Sequence, residues 1–403
     1  MRVAMLVNIL SPYRIPLFRD LQDTNGWNFK VFTCAETEKG RDWTIEADGL
    51  QVKRSWSLSW VRTIKRKGAV DFTQRLTYHF PFGVLWDLMR FRPDVVVSAE
   101  LGVRTFLAVL YSMLFRSQLI IWWYSTKVSA QGSSWRQWLR RQMLNRADAV
   151  IGMGTDARRM LKSLDVPEEK IFDTMNASPV APRQTPEGVG KLTVEETHYL
   201  REKMSARQIA ALDGRRIVCC PGRLIPVKGT LDVLQAWRSL PQEIRDLWAL
   251  VIAGNGQYKE DVEAASEQDP SILYVGHLDG EEMADLYHVS DLALFNSYGD
   301  VWGLIANEAM SCGVPVLSSV YAGCTVDLIE HATNGWRFRP DSRYEFRTTL
   351  EAAMRHPDLA GVGERARETL RAFTIGRMSL GIREAVNRAT TGGVDVRAEV
   401  DHA

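Results

Sequence analysis

Two cations that could bind one diphosphate lie five residues apart in the stretch GRLIPVKG, residues 222–229. Arg223 and Lys228 follow an apolar segment and precede a helical pattern, so Gly222 and both cations fall at a strand-to-helix turn. Arginine offers a fork of donors and lysine a point charge, and the start of a helix favours anions. The alternative is a solvated loop that carries two surface charges.

Two acids lie eight residues apart in the stretch NSYGDVWGLIANEAM, residues 296–310. Asp300 falls at the expected N-cap of a helix that begins near residue 301 or 302, and Glu308 lies about two turns further on. Together they could reach hydroxyl groups on two parts of a long ligand. The alternatives are a helix cap for Asp300 and a surface charge for Glu308. Backbone N–H groups at this helix start could bind an anion or a sugar oxygen; they belong to Val301, Trp302, Gly303 and Leu304.

A third candidate is the stretch AGNG, residues 253–256, at the end of an apolar segment. Gly254 and Gly256 would let the backbone approach a ligand closely. A plain tight turn explains the same pattern.

The elements that position these residues follow from alternation of apolar and amphipathic segments, which predicts parallel sheets covered on both faces. The predicted strands are residues 3–7, 29–33, 95–98, 119–122 and 149–151, then 216–220, 247–253, 272–275, 292–295 and 315–318. A segment rich in proline and glycine, residues 179–190, separates the two halves. The fold class is therefore α/β, with two doubly wound, Rossmann-like domains that face a central cleft.

The composition excludes several other classes of protein. Five cysteines without a CxxC pair and seven scattered histidines without HExxH favour a reduced compartment and no protein-built metal site. The first apolar run is too short for a secretory signal, and the longest, residues 106–115, is well below the roughly 20 residues of a spanning helix. We therefore expect a cytoplasmic protein, soluble or peripheral on the inner face of the membrane.

The charge is divided unevenly along the chain. Residues 1–180 hold 26 lysines and arginines against 17 acids, whereas residues 181–403 hold 24 against 32. Nine of the 13 tryptophans precede residue 150, in two basic clusters around Trp56 and Trp60 and around Trp135 and Trp138. Such clusters fit an anionic membrane surface; a helix packed on its own domain through the same tryptophans is the alternative. Nucleic acid fits less well, because no binding motif accompanies the charge.

Taken in order, these stretches resemble the C-terminal domain of family 4 retaining glycosyltransferases, which have the GT-B fold. The motif GRLxxxKG matches residues 222–229, and the Glu-x7-Glu motif appears here as Asp300 and Glu308. The opening NILSPYRIPLF, residues 8–18, resembles members that assemble bacterial polysaccharide and lipopolysaccharide, which makes Arg14 a candidate substrate-binding residue. Asp300 departs from the motif by one methylene.

The resemblance implies roles for the individual residues. Arg223 and Lys228 would hold the diphosphate, Asp300 the transferred sugar, and Glu308 the ribose hydroxyls, while His277 falls where the nucleotide base is held. Glu100 lies near the place of a histidine that many members carry. Glu100 would bind a hydroxyl or accept a proton there; the alternative is that it caps the next helix. No DxD motif is present, so the donor, a UDP- or GDP-linked sugar, would be used without a metal or any other cofactor.

The resemblance also implies a division of labour between domains. Residues 1–178 would bind the acceptor, a glycan or a lipid-linked molecule, and residues 213–373 the nucleotide sugar. Residues 179–212 would connect them, a helix at about 374–390 would cross back to the first domain, and residues 391–403 would be a disordered tail. The rival functions are a nucleotide-sugar 2-epimerase of the same fold and a non-catalytic scaffold. A dehydrogenase fits worst, because no GxGxxG follows the first strand.

Overall fold

A computed structural model describes residues 1–37, 45, 47–66, 72–124, 134–178 and 192–391 of the chain. The chain divides into two compact units. Unit 1 comprises Met1–Ile64, Arg75–Ala177 and Thr374–Ala403, and unit 2 comprises Lys65–Gln74 and Ser178–Phe373. The predicted connecting segment lies outside the described residues from 179 to 191, as does the predicted tail from 392 onward.

The chain alternates strands and helices from its first residues to residue 178. In order these elements are β1 (Arg2–Val7), α1 (Ile15–Gln22), β2 (Asn28–Thr33), β3 (Val52–Arg54), β4 (Leu58–Arg66), β5 (Phe72–Phe80), α2 (Gly83–Phe91), β6 (Val95–Ala99), α3 (Val103–Phe115), β7 (Gln118–Trp123), α4 (Ser134–Arg146), β8 (Ala149–Gly152), α5 (Gly154–Ser163) and β9 (Ile171–Asp173). Seven of these strands form one parallel sheet in the order β3-β2-β1-β6-β7-β8-β9. The strands β4 and β5 form a separate two-stranded sheet.

Helices cover both faces of the sheet of unit 1. Helices α2 to α5 pack their apolar sides on one face, in a core that includes Leu88, Val109, Leu144 and Leu161. On the other face lie α1 and the last helix of the chain, α16 (Ile375–Thr391), which contacts α1, β7, β8 and β9. Helix α16 therefore belongs to unit 1.

From residue 192 onward the same alternation builds unit 2. Its elements are α6 (His198–Lys203), α7 (Ala206–Leu212), β10 (Arg216–Pro221), α8 (Thr230–Arg238), α9 (Gln242–Leu247), β11 (Trp248–Ala253), α10 (Lys259–Gln268), β12 (Ile272–Tyr274), α11 (Gly280–Val289), β13 (Leu292–Phe295), α12 (Leu304–Ser311), β14 (Val316–Ser319), α13 (Thr325–Leu328), β15 (Gly335–Phe338), α14 (Arg343–Met354) and α15 (Leu359–Leu370). The six strands form a second parallel sheet, in the order β12-β11-β10-β13-β14-β15. Both units are thus doubly wound and Rossmann-like.

In each sheet the strand order reverses at one point. This switch point lies between β1 and β6 in unit 1 and between β10 and β13 in unit 2. In open parallel sheets ligands bind beyond the carboxyl ends of the strands at such a point. Within the described part of the chain, no helix has the length and apolar character needed to cross a bilayer.

Candidate active site

The loops that follow β10 and β13 carry the predicted diphosphate and sugar residues. β10 ends at Pro221, and the next residues are Gly222 and Arg223; β13 ends at Phe295, five residues before Asp300. The two strands are neighbours on either side of the switch point of unit 2. The fold therefore brings together two stretches that lie more than 70 residues apart in the sequence.

The glycines of the AGNG stretch hold the Arg223 loop in place. The Gly222 N–H donates to the Ala253 carbonyl at 2.9 Å, and the Leu224 N–H donates to the Asn255 carbonyl at 2.9 Å. A Cβ on Gly254 would lie 1.8 Å from the Gly222 carbonyl oxygen, and one on Gly256 would lie 2.5 Å from that of Leu224. In the structure these glycines permit close approach of a neighbouring loop.

Lys228 and Asp300 form an ion pair across the switch point. The Lys228 ammonium donates to Oδ2 of Asp300 and lies 5.0 Å from the centre of the Phe295 ring. Lys228 ends a 3-10 turn, Pro226–Lys228, and Gly229 follows with a φ of 55°, directly before α8. The turn fixes the direction of the lysine, and the ion pair fixes its ammonium group.

The charges around Asp300 keep its carboxyl ionised. Burial raises the pKa of Asp300. The Lys228 ammonium, the Trp302 N–H and the Arg223 guanidinium lower this pKa by more than burial raises it, so the net shift is downward. Arg223 is itself exposed. Lys228, Asp300 and Arg223 therefore form a group with one net positive charge, which suits an anionic ligand.

The predicted start of α12 was wrong by two to three residues. The helix begins at Leu304, and its N-cap is Gly303, whose φ is 106°. Asp300 lies before this cap and accepts the Trp302 N–H at 3.4 Å. A Cβ on Gly303 would meet the Phe295 ring at 2.1 Å, so only glycine fits there. Asp300 is thus a loop residue, and Val301, Trp302 and Gly303 precede the helix.

The Trp302 side chain anchors this loop and is turned away from solvent. It is 2 % exposed, and its indole N–H donates to Oδ1 of Asn307 at 2.7 Å. The Cys324 N–H donates to the Trp302 carbonyl at 3.0 Å. Only the backbone of Trp302 therefore remains a candidate for contact with a ligand.

Glu308 lies on α12 and is held by two hydroxyl groups that the sequence analysis missed. Tyr287 on α11 donates to Oε2 at 2.9 Å, and Ser178 donates to Oε1 at 3.2 Å. Burial raises the pKa of Glu308, and the two hydrogen bonds offset only part of that rise. Tyr287 and Ser178 lie 21 and 130 residues from Glu308 in the sequence, so no local sequence pattern predicts these two hydrogen bonds.

His277 lies shortly after β12, the strand that pairs with β11. It follows β12, is exposed, and precedes α11, whose N-cap is Asp279. The Gly254 N–H donates to the Gly276 carbonyl at 2.6 Å, which places His277 next to the AGNG loop. Among the described residues the His277 side chain makes no hydrogen bond or ion pair.

Glu100 lies at the switch point of unit 1, directly after β6. Its φ is 65°, a left-handed conformation that is uncommon for a residue other than glycine. Asn8, directly after β1, donates to Oε2 of Glu100 at 2.5 Å, and Arg104 donates to Oδ1 of Asn8. The N-cap of α3 is Gly102, so Glu100 is not its N-cap residue, and the alternative that it caps this helix is wrong.

Arg14 is a buried cation in a cage of aromatic rings. It is 7 % exposed, and its guanidinium lies 4.6 Å from the centre of the Trp122 ring and 5.0 Å from that of Tyr124. Its Nη2 lies 3.9 Å from the Met153 sulfur, and among the described residues Nη1 has no hydrogen-bond partner. No carboxylate in the described part of the chain pairs with Arg14, and because an unpaired buried cation is costly, Arg14 is a candidate for binding an anion.

Metal ligands do not cluster in the described part of the chain, where no three side chains of His, Cys, Asp or Glu come together. None of the five cysteines forms a disulfide. Use of a donor without a metal stays a prediction.

Two Rossmann-like domains, with a cation pair and an acidic residue at the switch point of the second, define a glycosyltransferase of the GT-B type. Residues 17–172 match the family description "Glycosyl transferase 4-like domain", and residues 202–369 match "Glycosyl transferases group 1". Together the matches cover most of the chain. The chain belongs to the family 4 glycosyltransferases, and the resemblance noted in the sequence is confirmed.

Individual relatives match parts of the chain. A D-inositol 3-phosphate glycosyltransferase of Mycobacterium sp. (strain KMS) is 28% identical over 44% of this chain and 40% of its own length. O-antigen chain mannosyltransferase B of Escherichia coli is 32% identical over 24% of this chain and 27% of its own. The chain thus aligns with less than half of the length of these curated relatives.

Solved structures match nearly the whole chain. HepE of Anabaena, in complex with UDP and glucose, has a TM-score of 0.68 and 15% sequence identity, over 96% of this chain and 99% of its own. Sucrose-phosphate synthase of Thermosynechococcus elongatus has a TM-score of 0.67 over 98% and 100% at 16% identity. At these identities the likeness confirms the predicted fold.

Proposed function

We propose that this protein is a retaining, metal-independent glycosyltransferase whose donor is a nucleotide diphosphate sugar, UDP- or GDP-linked. Its acceptor is a hydroxyl of a glycan or lipid-linked molecule in the synthesis of bacterial cell-surface polysaccharide, lipopolysaccharide or glycolipid. The Lys228–Asp300 pair beside Arg223 carries the proposal, because it sets a net positive charge at a ligand-binding switch point. The UDP and UDP-glucose in the HepE structures and the O-antigen relative support the donor and the acceptor class.

In the proposed reaction Arg223 and Lys228 bind the diphosphate and neutralise the charge that grows on it as the bond to the sugar breaks. Asp300 fixes the Lys228 ammonium and, with the backbone that follows it, contacts the transferred sugar. The new bond forms on the same face of the sugar as the bond that is lost. Because these cations are already in position, catalysis rests on positioning and charge stabilisation.

Glu308 is proposed to bind the ribose hydroxyls of the donor. Tyr287 and Ser178 each occupy one lone pair of its carboxylate, which leaves further lone pairs to accept hydrogen bonds from a diol. His277 would lie against the base, beside the AGNG loop.

The acceptor residues are proposed in unit 1. Glu100 would accept the proton of the attacking hydroxyl, in a position fixed by Asn8, and Arg14 would contact an anionic part of the substrate. The proposed place of work is the cytoplasm, peripheral on the inner face of the cell membrane, where a lipid-linked acceptor would be found.

The experiment is calorimetric titration of the purified protein with UDP, GDP, ADP and dTDP, with and without EDTA. We expect one nucleotide to bind in both conditions, and Arg223→Ala to abolish that binding. Arg238→Ala, which removes an exposed arginine from the far end of α8, is the matched control and should bind as the wild type does. With a donor and acceptor in hand, Arg223→Ala should lower the rate by about 10²–10³-fold, the scale for one transition-state donor.

Two outcomes would contradict the proposal. If none of the four nucleotides binds, or if Arg223→Ala binds the nucleotide as tightly as the wild type does, the diphosphate site is excluded and the non-catalytic scaffold is favoured. Turnover of the nucleotide sugar to its 2-epimer without any acceptor would favour the epimerase.

A further inference from the structure

Exposed apolar side chains are concentrated in one part of unit 1. Of the 19 large apolar side chains that the described part of the chain leaves exposed, 14 lie between residues 56 and 138. They belong to α2, α3, α4, β4, β5 and the residues that flank them. Contiguous exposed apolar surface on a folded protein marks a site of interaction.

Helix α3 is apolar on both of its faces. Its inner face packs Ala108 and Val109 in the core of unit 1. Its outer face presents Phe106, Met113 and Leu114, which are 50%, 55% and 64% exposed. A helix with water on one face normally carries polar residues there, and a helix that is apolar all round is normally buried. The outer face of α3 therefore lacks the polar residues that contact with water requires.

The neighbouring elements continue this apolar surface. Helices α2 and α4 both contact α3, and each presents exposed tryptophan: Trp86 on α2, and Trp135 and Trp138 on α4. The Trp56 and Phe82 rings pack in a tilted arrangement with 5.7 Å between their centres, which links the start of the β4–β5 hairpin to α2. The hairpin is a two-stranded sheet, a structure that is marginal in water by itself.

Basic residues accompany the apolar ones. From residue 56 to residue 146 the sequence holds 14 lysines and arginines against four acids. Within the described part of the chain, Arg62, Arg90, Arg116 and Arg136 form no ion pair with any carboxylate. Tryptophan and long aliphatic side chains mixed with arginine are the composition of surfaces that lie at the headgroup level of anionic bilayers.

We propose that the outer faces of α2, α3 and α4, together with the β4–β5 hairpin, form a docking surface for an anionic lipid bilayer. Phe106, Leu110, Met113 and Leu114 enter the boundary between headgroups and acyl chains, while the surrounding arginines contact lipid phosphates. Helix α3 has 13 residues and so a length of about 20 Å, which allows it to lie in the interface and not to span the bilayer. A second copy of the chain fits less well, because two such surfaces repel each other by their charge.

The inference deepens the proposed function and rests on its membrane location, but its test is separate, since lipid binding needs neither donor nor acceptor. Its test is flotation of the full-length protein with vesicles of phosphatidylcholine alone and of equal parts phosphatidylcholine and phosphatidylglycerol. We expect binding to the anionic vesicles only, weakened by added salt. The double variant Phe106→Ser, Leu114→Ser should weaken that binding by about tenfold or more, because it removes two apolar anchors. The double variant Arg62→Gln, Arg136→Gln should weaken it by a similar factor.

The matched control is the double variant Leu247→Ser, Tyr344→Ser, which changes two large residues in unit 2 that are no less exposed than Phe106. It should bind the vesicles as the wild type does. Nucleotide titration of each variant separates a loss of docking from a loss of folding or of donor binding. The inference is overturned if wild-type protein that binds nucleotide does not bind anionic vesicles. It is also overturned if the wild-type protein elutes as a dimer in size-exclusion chromatography and the double variant Phe106→Ser, Leu114→Ser elutes as a monomer.

Discussion

Two carboxyl groups of unit 2, eight residues apart in the sequence, have pKa values shifted in opposite directions. The Lys228 ammonium and Arg223 outweigh burial at Asp300 and lower its pKa. Among the described residues the hydrogen-bond partners of Glu308 are two neutral hydroxyls, so burial prevails and raises its pKa. Groups with opposed pKa shifts take different tasks in a site. Asp300 is thus a permanent counter-charge, and Glu308 is a desolvated acceptor that gains from new hydrogen-bond donors.

The predicted role of Glu308 can be tested with Glu308→Gln. We expect the dissociation constant of the nucleotide to rise by about tenfold or more, because hydrogen bonds to a charged acceptor are worth about 1.5–3 kcal/mol. The free energy of unfolding at neutral pH should not fall, because the variant no longer buries a charge. Calorimetric titration and urea unfolding measure the two quantities. Glu267→Gln, on the exposed face of α10, is the control and should change neither.

The same variant should change how stability depends on pH. The folded protein holds the Glu308 proton more tightly than the unfolded chain, whose carboxyl titrates near 4.5. The stability from this proton is present below that pH and is lost as pH rises through the raised pKa. Glu308→Gln should flatten this part of the unfolding profile. An unchanged profile, or a nucleotide affinity equal to that of the wild type, would contradict the assigned environment.

At the scale of elements, the loop that carries Arg223 depends on a neighbouring loop as much as on its own residues. Gly254→Ala would place a methyl group 1.8 Å from the Gly222 carbonyl oxygen, at a φ of 141°. We expect a loss of at least about 2 kcal/mol in the free energy of unfolding and weaker nucleotide binding, because the Arg223 loop must move. Gly280→Ala is the control: it lies at the first position of α11 with nothing within 4 Å, and it should leave both unchanged or raise stability. Normal nucleotide binding by Gly254→Ala would show that the two loops are independent.

Ten of the strands could be predicted from the sequence to within about two residues, because strands buried on both faces give continuous apolar runs. The strands β3, β4, β5, β9 and β15 were missed, because their sequences contain no such run. The start of α12 could not be predicted in this way. Asp300 is a residue type that often caps helices, whereas the true N-cap, Gly303, is required by a contact with the Phe295 ring that forms only in the folded protein. Tyr287 and Ser178 were missed for a related reason: they reach Glu308 across the fold, and hydroxyl donors carry no spacing rule.

The apolar surface of unit 1 was predicted only in part. The tryptophan clusters were visible in the sequence as docking residues, and in the structure the Trp135 and Trp138 side chains are 61% and 62% exposed. The outer face of α3 was passed over because its apolar run was judged only by whether it could span a bilayer. Which side of an apolar helix faces solvent is decided by the sheet on which it packs, and the sequence of the helix alone does not contain that information.

At the scale of the whole molecule, the two units are not two consecutive stretches of chain. Helix α16 follows unit 2 in the sequence but covers one face of the sheet of unit 1. A Cβ on Gly381 would lie 2.4 Å from the Asp173 carbonyl oxygen, so the helix approaches β9 closely, and Arg383 pairs with Asp20 at 2.7 Å. Unit 1 therefore completes its fold only when α16 is in place.

This arrangement predicts that Ile382→Ala, on the fully buried side of α16, acts on unit 1 alone. We expect a loss of about 2–5 kcal/mol in the free energy of unfolding of that unit, because the substitution leaves a cavity between helix and sheet. Glu384→Ala, on the exposed side of the same helix, should cost little. The proposed nucleotide residues all lie in unit 2, so nucleotide affinity should not change. In scanning calorimetry the nucleotide should raise the midpoint temperature at which unit 2 unfolds, because it binds only the folded unit. Ile382→Ala should lower the midpoint temperature at which unit 1 unfolds. If the substitution instead lowered the transition that the nucleotide raises, α16 would support the donor site, and the two units would have to be treated as one folding unit.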